Sequence, residues 1–393
     1  MSAAPAADKA QILLLLRTYE EVIALTKQLQ DKEESVYDPT STDKIGTLHV
    51  EMGTLYDHRL NKQSKALVYF QRALERFQQD KDYKHIANTL SLIGVIHVKK
   101  SANGKALKCF RDSLVMRRMS PTTPEEKIGI AETLHNIGNC EAREGEFESS
   151  LRSYGEALKI KRKIFQDEHI SIAKTEHCMG LAMLQLGNLD GALDLFLTSM
   201  KVRRKLLGDD HLDLSFSLHS LGRIYFHQNQ FDSAIVGLEE ALKIKESKLP
   251  ETHMSLAETR HLLGSLYIKK NKFTLAIPLL KSALVSYRGS RDCDVMKSDV
   301  LDLLGNAYTK LGENDHAILS YEHSLKIKKV VVGKDHVACA NVSMEIGKLK
   351  SKKDDIDGAL IAFKEGEYPF ACWGMYLLCH VTKTYIWLSQ PLS

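Results

Sequence analysis

Tryptophan, proline, paired cysteine and net charge are all scarce in this 393-residue chain. The two tryptophans, Trp373 and Trp387, both fall in the last 21 residues. Eight prolines and 23 glycines exclude collagen-like and low-complexity classes. The seven cysteines are scattered and odd in number, and no two are separated by two residues, so a CxxC zinc or redox motif is absent. Such cysteines read as reduced thiols of an intracellular, cytoplasmic protein. A formal charge of +4, from 54 basic and 50 acidic side chains, is too small to announce nucleic acid or an anionic membrane. No uncharged apolar stretch long enough to span a bilayer precedes residue 370. The apolar run at residues 12–16 is too short for a signal-peptide core and is ended by Arg17. There is no phosphate loop, HExxH, GxSxG or dinucleotide fingerprint, and Cys178 beside His177 is a covalent neighbour rather than an arranged pair. These absences predict a non-enzymatic protein with no cofactor.

What is present is a repeat. A helical run ending in apolar-Gly-x-x-aromatic recurs at Gly53, Gly94, Gly138, Gly180, Gly222, Gly264, Gly305 and Gly347, spaced by 41 to 44 residues. Twelve residues after each glycine stands a small residue, such as Ala192, Ala234 or Ala276, and another stands at nineteen, such as Ser199 or Ala241. The first repeat is one residue longer, which places its small residues at Ala66 and Ala73. Antiparallel helices that pack closely need small residues where their backbones approach. A glycine inside a helix costs about 1 kcal/mol. Its return at one repeat position therefore signals a packing requirement, and the expectation is that each glycine faces the small residue of the second helix.

This pattern resembles the tetratricopeptide repeat, as in Leu221-Gly222-Arg223-Ile224-Tyr225 followed by Ala234 and Ala241. The period near 42, with junctions such as Gly208-Asp209-Asp210-His211 and Gly333-Lys334-Asp335-His336, resembles kinesin light chain repeats. The resemblance covers about residues 40–367. It implies an all-α, right-handed superhelical solenoid of about eight helix-turn-helix repeats. One elongated domain then replaces the two or three that length suggests. The organisation expected is an N-terminal amphipathic capping helix (1–36), a solenoid (37–367) and a hydrophobic C-terminal tail (368–393). For the tail, a cap on repeat eight, a disordered or non-native remnant, a peptide mimic and a tail anchor all stay open. Pro278 falls within a second helix and should kink it or delay its start.

In the fold that the resemblance implies, first helices line a concave surface. Three residues before the glycine, the column reads Val50, Ser91, His135, His177, His219, His261, Asp302 and Met344. With Asn136, Asn139, Arg143, Arg223, Lys269, Asn306 and Lys310 it predicts a basic, hydrogen-bonding groove. Kinesin light chains use this face for cargo peptides that carry a Trp or Tyr among acidic residues, so the implied function is a scaffold or adaptor for acidic protein segments. The competing reading is that the histidines only bridge neighbouring helices. One histidine per repeat does not suit a metal, because zinc needs its ligands about 2.1 Å away. Two further readings are a cargo-adaptor subunit of a microtubule motor or signalling complex, and a module once fused to an enzyme.

A second histidine column, His169, His211, His253 and His336, follows Glu168, Asp210, Thr252 and Asp335. Three of those preceding residues are good helix caps, so this junction reads as capping. The basic tails of the second helices, for example Lys159, Lys161, Arg162 and Lys163, read as solvated faces that offset the helix dipole.

Overall fold

The computed structural model describes residues 4–32, 39–119, 123–165, 168–287 and 293–366. The C-terminal segment 368–393 lies outside them, with both tryptophans. The chain divides into two compact units, Met1–Leu206 and Leu207–Ser393. The described residues form helices and no strands. In the first unit these are α1 (Ala4–Lys32), α2 (Pro39–His58), α3 (Gln63–Gln79), α4 (Tyr83–Lys99), α5 (Asn103–Met119), α6 (Pro124–Arg143), α7 (Phe147–Ile164), α8 (Ile170–Gln185) and α9 (Leu189–Leu207). In the second they are α10 (Leu212–His227), α11 (Phe231–Lys248), α12 (Met254–Lys269), α13 (Phe273–Tyr287), α14 (Asp294–Leu311), α15 (Asn314–Val331), α16 (Val337–Lys352) and α17 (Ile356–Glu365). From α2 onward they alternate as first and second helices of eight repeats, giving an all-α repeat solenoid.

Each first helix ends in one left-handed residue, seven positions after its glycine and eight in the longer first repeat: Asn61, Ser101, Gly145, Gly187, Asn229, Asn271, Gly312 and Asp354. Glycine lacks the Cβ that crowds this conformation, and short polar side chains such as asparagine and aspartate offset the crowding with local hydrogen bonds. The chain then reverses into the second helix. The small residue at +12 is fully buried in every repeat, as at Ala66, Ser150 and Ala317. At +19, Ser113, Ser199 and Ser324 each donate a hydroxyl to a carbonyl of the paired first helix, at Ala87 (2.7 Å), Ala173 (2.8 Å) and Ser298 (3.1 Å).

The glycines do not face the +12 residue. A Cβ on Gly180 would lie 2.7 Å from the Phe196 ring, and one on Gly222 would lie 2.6 Å from Leu238 Cγ. In all eight repeats the obstructing side chain is aromatic or leucine and stands sixteen positions on, or seventeen in the longer first repeat. The glycine is thus a seat for a large side chain, while the alanines set the helix spacing from beside it.

In the first unit α1 lays Ile12, Leu16 and Ile23 against Ile45, Met52 and Tyr56, and the Tyr69 hydroxyl donates to Glu20 Oε1 at 2.7 Å. Leu14, Val22 and Leu25 on α1 stay exposed. In the second unit α13 starts at Phe273 and carries Pro278 inside it, so the proline does not delay the start. Proline has no N–H, which leaves one helical acceptor without its usual donor near the beginning of α13.

Candidate functional site

The histidine column splits. His135 and His177 are 4% and 8% exposed and pack against Tyr154 and Phe196, with ring centroids 5.7 and 5.2 Å apart. Neither ring nitrogen of His135 has a hydrogen-bond partner among the described residues. Burial pushes both imidazoles down to about 3, helped by Lys161 and Lys174 at His135 and by Arg203 at His177. They are neutral core side chains, not the cationic groove lining expected of them.

Around them in the first unit, Asn139 Oδ1 accepts from the Tyr154 hydroxyl at 2.8 Å. Asn136 is half-buried and Arg143 exposed. Asn139 is therefore tied into its own repeat and only partly available to a ligand.

The second unit brings four of the expected residues together. Two adjoining cavities of about 530 and 390 Å³ share His261 and Ser265. The smaller is walled by His219 and Arg223 from α10, Glu258 from α12 and Met296 from α14. The larger is walled by Asp299, Asp302 and Asn306 from α14, Lys328 from α15 and Glu345 from α16. Lys269 and Lys310 are exposed but line neither cavity.

Charge in this groove corrects the basic groove of the sequence reading. Glu258, Asp299, Asp302 and Glu345 outnumber Arg223 and Lys328. Lys328 is paired with Asp302, and Lys348 lies 2.6 Å from Glu345. Burial and the neighbouring Asp302 push the Asp299 carboxyl up, against the pull of Lys328. His219 Nδ1 sits 3.0 Å from Thr259 Oγ1, and burial pushes the His261 imidazole down. The groove is therefore polar along its length, with a guanidinium towards α10 and carboxylates towards α16.

The basic tails are not simply solvated. One cation per tail, 23 positions after the glycine, turns inward: Arg117, Lys161, Arg203 and Lys245 are all buried. Lys161 Nζ donates to the Ser171 carbonyl (3.2 Å) and to Thr175 Oγ1 (2.8 Å). Lys245 makes the same two bonds to Ser255 and Thr259, at 3.2 and 2.7 Å. Burial lowers both ammonium groups to about 8. Arg117 binds Thr133, Glu126 and Asn88. Arg117, Lys161 and Lys245 thereby lace a second helix to the first helix of the next repeat within their own unit.

The next position carries paired charges of opposite polarity in two repeats. Arg162 on α7 binds Glu176 on α8 at 2.8 Å, whereas Glu246 on α11 binds Arg260 on α12 at 3.0 Å.

Capping at the junctions is done by the histidines themselves, not by the residues before them. Nδ1 of His169, His211, His253 and His336 accepts from the backbone N–H two residues on, at 3.1 to 3.2 Å. Among the described residues no three His, Cys, Asp or Glu side chains group to hold a metal ion. No helix there is long and apolar enough to cross a membrane.

Family models of the tetratricopeptide repeat match residues 171–247, 130–171 and 299–338. No curated protein matches the chain. Among solved structures, the chain is similar to a signal transduction ATPase with numerous domains and a tetratricopeptide repeat sensor from Pyrococcus horikoshii. Identity is 15%, coverage 94% of this chain and 55% of that one, and the TM-score 0.60. The chain thus spans about half of that protein. It is also similar to the apo form of RapI, at 15% identity, 76% and 99% coverage and a TM-score of 0.50. A putative kinesin light chain with TPR-like repeats from Podosopora anserina is 17% identical over 52% of this chain and 96% of that one, with a TM-score of 0.42. At these identities the likeness is one of fold. The repeat register and the paired helices agree with the matched segments: over those residues the chain carries tetratricopeptide repeats, and its described fold is an all-α repeat solenoid.

Proposed function

We propose that this chain is a non-enzymatic, cytoplasmic scaffold that holds a segment of a partner protein in the groove of its second unit. The observation that carries this reading is the pair of adjoining cavities, about 530 and 390 Å³, walled by side chains of four first helices. A groove of this kind suits an extended or helical peptide with a few placed polar anchors. The five cysteines among the described residues, Cys109, Cys140, Cys178, Cys293 and Cys339, are all free and buried or half-buried, which fits a reducing compartment.

The acidic preference expected from the sequence narrows to one end. Arg223 offers a planar guanidinium to a carboxylate of the ligand. At the other end Asp299 and Asp302 favour a lysine or arginine. The ligand proposed is therefore a mixed-charge segment, acidic where it meets α10 and basic where it meets α14 and α16.

A fluorescence titration with a peptide library of fixed length and permuted charge order tests this. Peptides of the stated polarity should bind the wild-type chain and lose about tenfold in affinity with Arg223→Ala or Asp299→Asn. Equal binding of both polarities, or affinities unmoved by these changes, would refute the assignment.

A second reading is a motor adaptor, favoured by the exposed Leu14, Val22 and Leu25 of α1, which could seat a partner helix. A pull-down with a kinesin heavy-chain tail tests it, and Leu14→Lys/Leu25→Lys should abolish capture. Binding that survives both substitutions would remove α1 from the account.

A further inference from the structure

The outer face of the second unit carries a row of apolar side chains that no described residue covers. Fourteen positions after the glycine, α11, α13, α15 and α17 present Val236, Pro278, Leu319 and Ile361. Val236 is 66% exposed, Leu319 52% and Ile361 62%, and Pro278 is also exposed. The same register in the first unit holds exposed Val68 on α3, one position later in the longer first repeat, and then Lys108, Arg152 and Asp194 on α5, α7 and α9, all exposed. Three successive repeats of the first unit thus carry charge at this position, whereas the second unit carries an apolar side chain there four times in succession. Adjacent helices stack roughly 10 Å apart within a layer, so four repeats give a row about 30 Å or more in length. Contiguous exposed apolar surface of this kind marks an interaction site.

What the row faces can be read from the charges beside it. Three positions further on, the same helices present Glu239, Lys281, Glu322 and Lys364, all exposed. The sign alternates with each repeat. Three of the four also touch their own chain: Glu239 accepts from the Tyr267 hydroxyl, Lys281 Nζ lies 5.5 Å from the Tyr308 ring centroid, and Glu322 lies 3.1 Å from Lys350 Nζ. These contacts fix the side chains in place while their charges remain at the surface.

A two-fold interface is self-complementary: residue i meets residue j, and j meets i. With the axis between α13 and α15, Val236 meets Ile361 of the second copy and Pro278 meets Leu319. The same operation sets Glu239 against Lys364 and Lys281 against Glu322, so every charged contact is between opposite signs. Sliding one copy by a single repeat sets Glu239 against Glu322 and Lys281 against its own equivalent, which like-charge repulsion disfavours. The apolar row supplies contact area and the alternating row supplies one register.

We propose that this face joins two copies of the chain in an antiparallel, two-fold dimer through α11, α13, α15 and α17. It is separate from the peptide groove, whose walls are first helices and the inner sides of second helices.

Sedimentation equilibrium of the full chain at concentrations up to roughly 100 µM tests this, since specific interfaces dissociate well below that value. The wild type should be dimeric. Lys281→Glu and Glu322→Lys should each weaken the dimer by roughly a hundredfold, because two-fold symmetry places each like-charge contact twice. An equimolar mixture of the two variants should recover the dimer. Each variant alone sets like charges against each other at both contacts, whereas the mixed pair sets opposite charges there again. Leu319→Lys should also dissociate the dimer. Far-ultraviolet circular dichroism should show each variant as folded as the wild type. A monomeric wild type would overturn the proposal. So would a dimer that these substitutions leave unchanged, or one that the mixture fails to restore.

Discussion

Lys245 on α11 reaches Thr259 on α12 with 2.7 Å between Nζ and Oγ1, and Thr259 in turn donates to the Ser255 carbonyl at 2.9 Å. Lys161 and Thr175 make the same contact at 2.8 Å in the first unit. Each ammonium is buried and held by neutral oxygens, so the folded state carries a charge that water would solvate better.

Alkaline titration should report this. Both lysines have a folded value near 8, below the ordinary 10.5. The unfolded chain then binds more protons than the folded one between those values, so stability rises with pH there. Between pH 8 and 9.5 each lysine should add about 1.5 kcal/mol. Urea unfolding at both pH values measures it, and Lys245→Met should remove about half of the rise. A midpoint that does not move with pH would contradict the burial of these charges.

Acid should destabilise the first unit before its carboxylates titrate. His135 and His177 have folded values near 3, against 6.5 unfolded. The unfolded chain takes up the extra protons as pH falls through 6.5, and stability is lost in that window. From pH 7 to 5 the loss should be about 2 kcal/mol for each histidine. His135→Leu/His177→Leu should flatten the profile. Because the His135 nitrogens lack partners among the described residues, His135→Leu should cost little at pH 7 or stabilise.

Removing a junction cap should be measurable at a single site. His211→Ala frees the Asp213 N–H that Nδ1 accepts, at a cost of about 1 kcal/mol. His211→Asn, whose side chain can cap the same helix, should retain most of that stability. Denaturant midpoints at constant slope distinguish the two; equal losses would show that the imidazole acts by packing instead.

At the glycine seat, Gly222→Ala places a Cβ 2.6 Å from Leu238 Cγ and should cost about 1–3 kcal/mol by overpacking. Leu238→Ala alone should cost about 2–5 kcal/mol by leaving a cavity. Combined, they should cost less than their sum, because the alanine relieves the clash. Strict additivity in the double-mutant cycle would show that the two side chains do not meet.

The register of the solenoid was legible because glycine is too costly in a helix to recur without a packing reason. Its partner was harder to read. Positions +12, +16 and +19 share one helical face, and only the direction of the missing Cβ selects +16. The histidine column hid a second distinction. Tyr154 and Phe196 stand at +16 beside His135 and His177, whereas the shorter Leu238 and Leu280 stand at +16 in the repeats of His219 and His261. The same letter is therefore core in one unit and groove wall in the other. The left-handed turn column went unread in the sequence, although the mixture at Asn61, Gly145, Asn229 and Asp354 is the signal that marks such a turn. The inward lysines were not legible, because a buried lysine and its solvated neighbour differ by only one position along the helix.

The reversed polarity of Arg162–Glu176 and Glu246–Arg260 bears on how such a chain could be rearranged. Moving α7 against α12 would bring Arg162 up to Arg260, and moving α11 against α8 would bring Glu246 up to Glu176. Near-identical modules can be permuted freely, but these two junctions would reject each other's halves. Unequal recombination between them would therefore yield a chain with a half-buried like-charge contact, and the order of its modules is protected by chemistry at the seams.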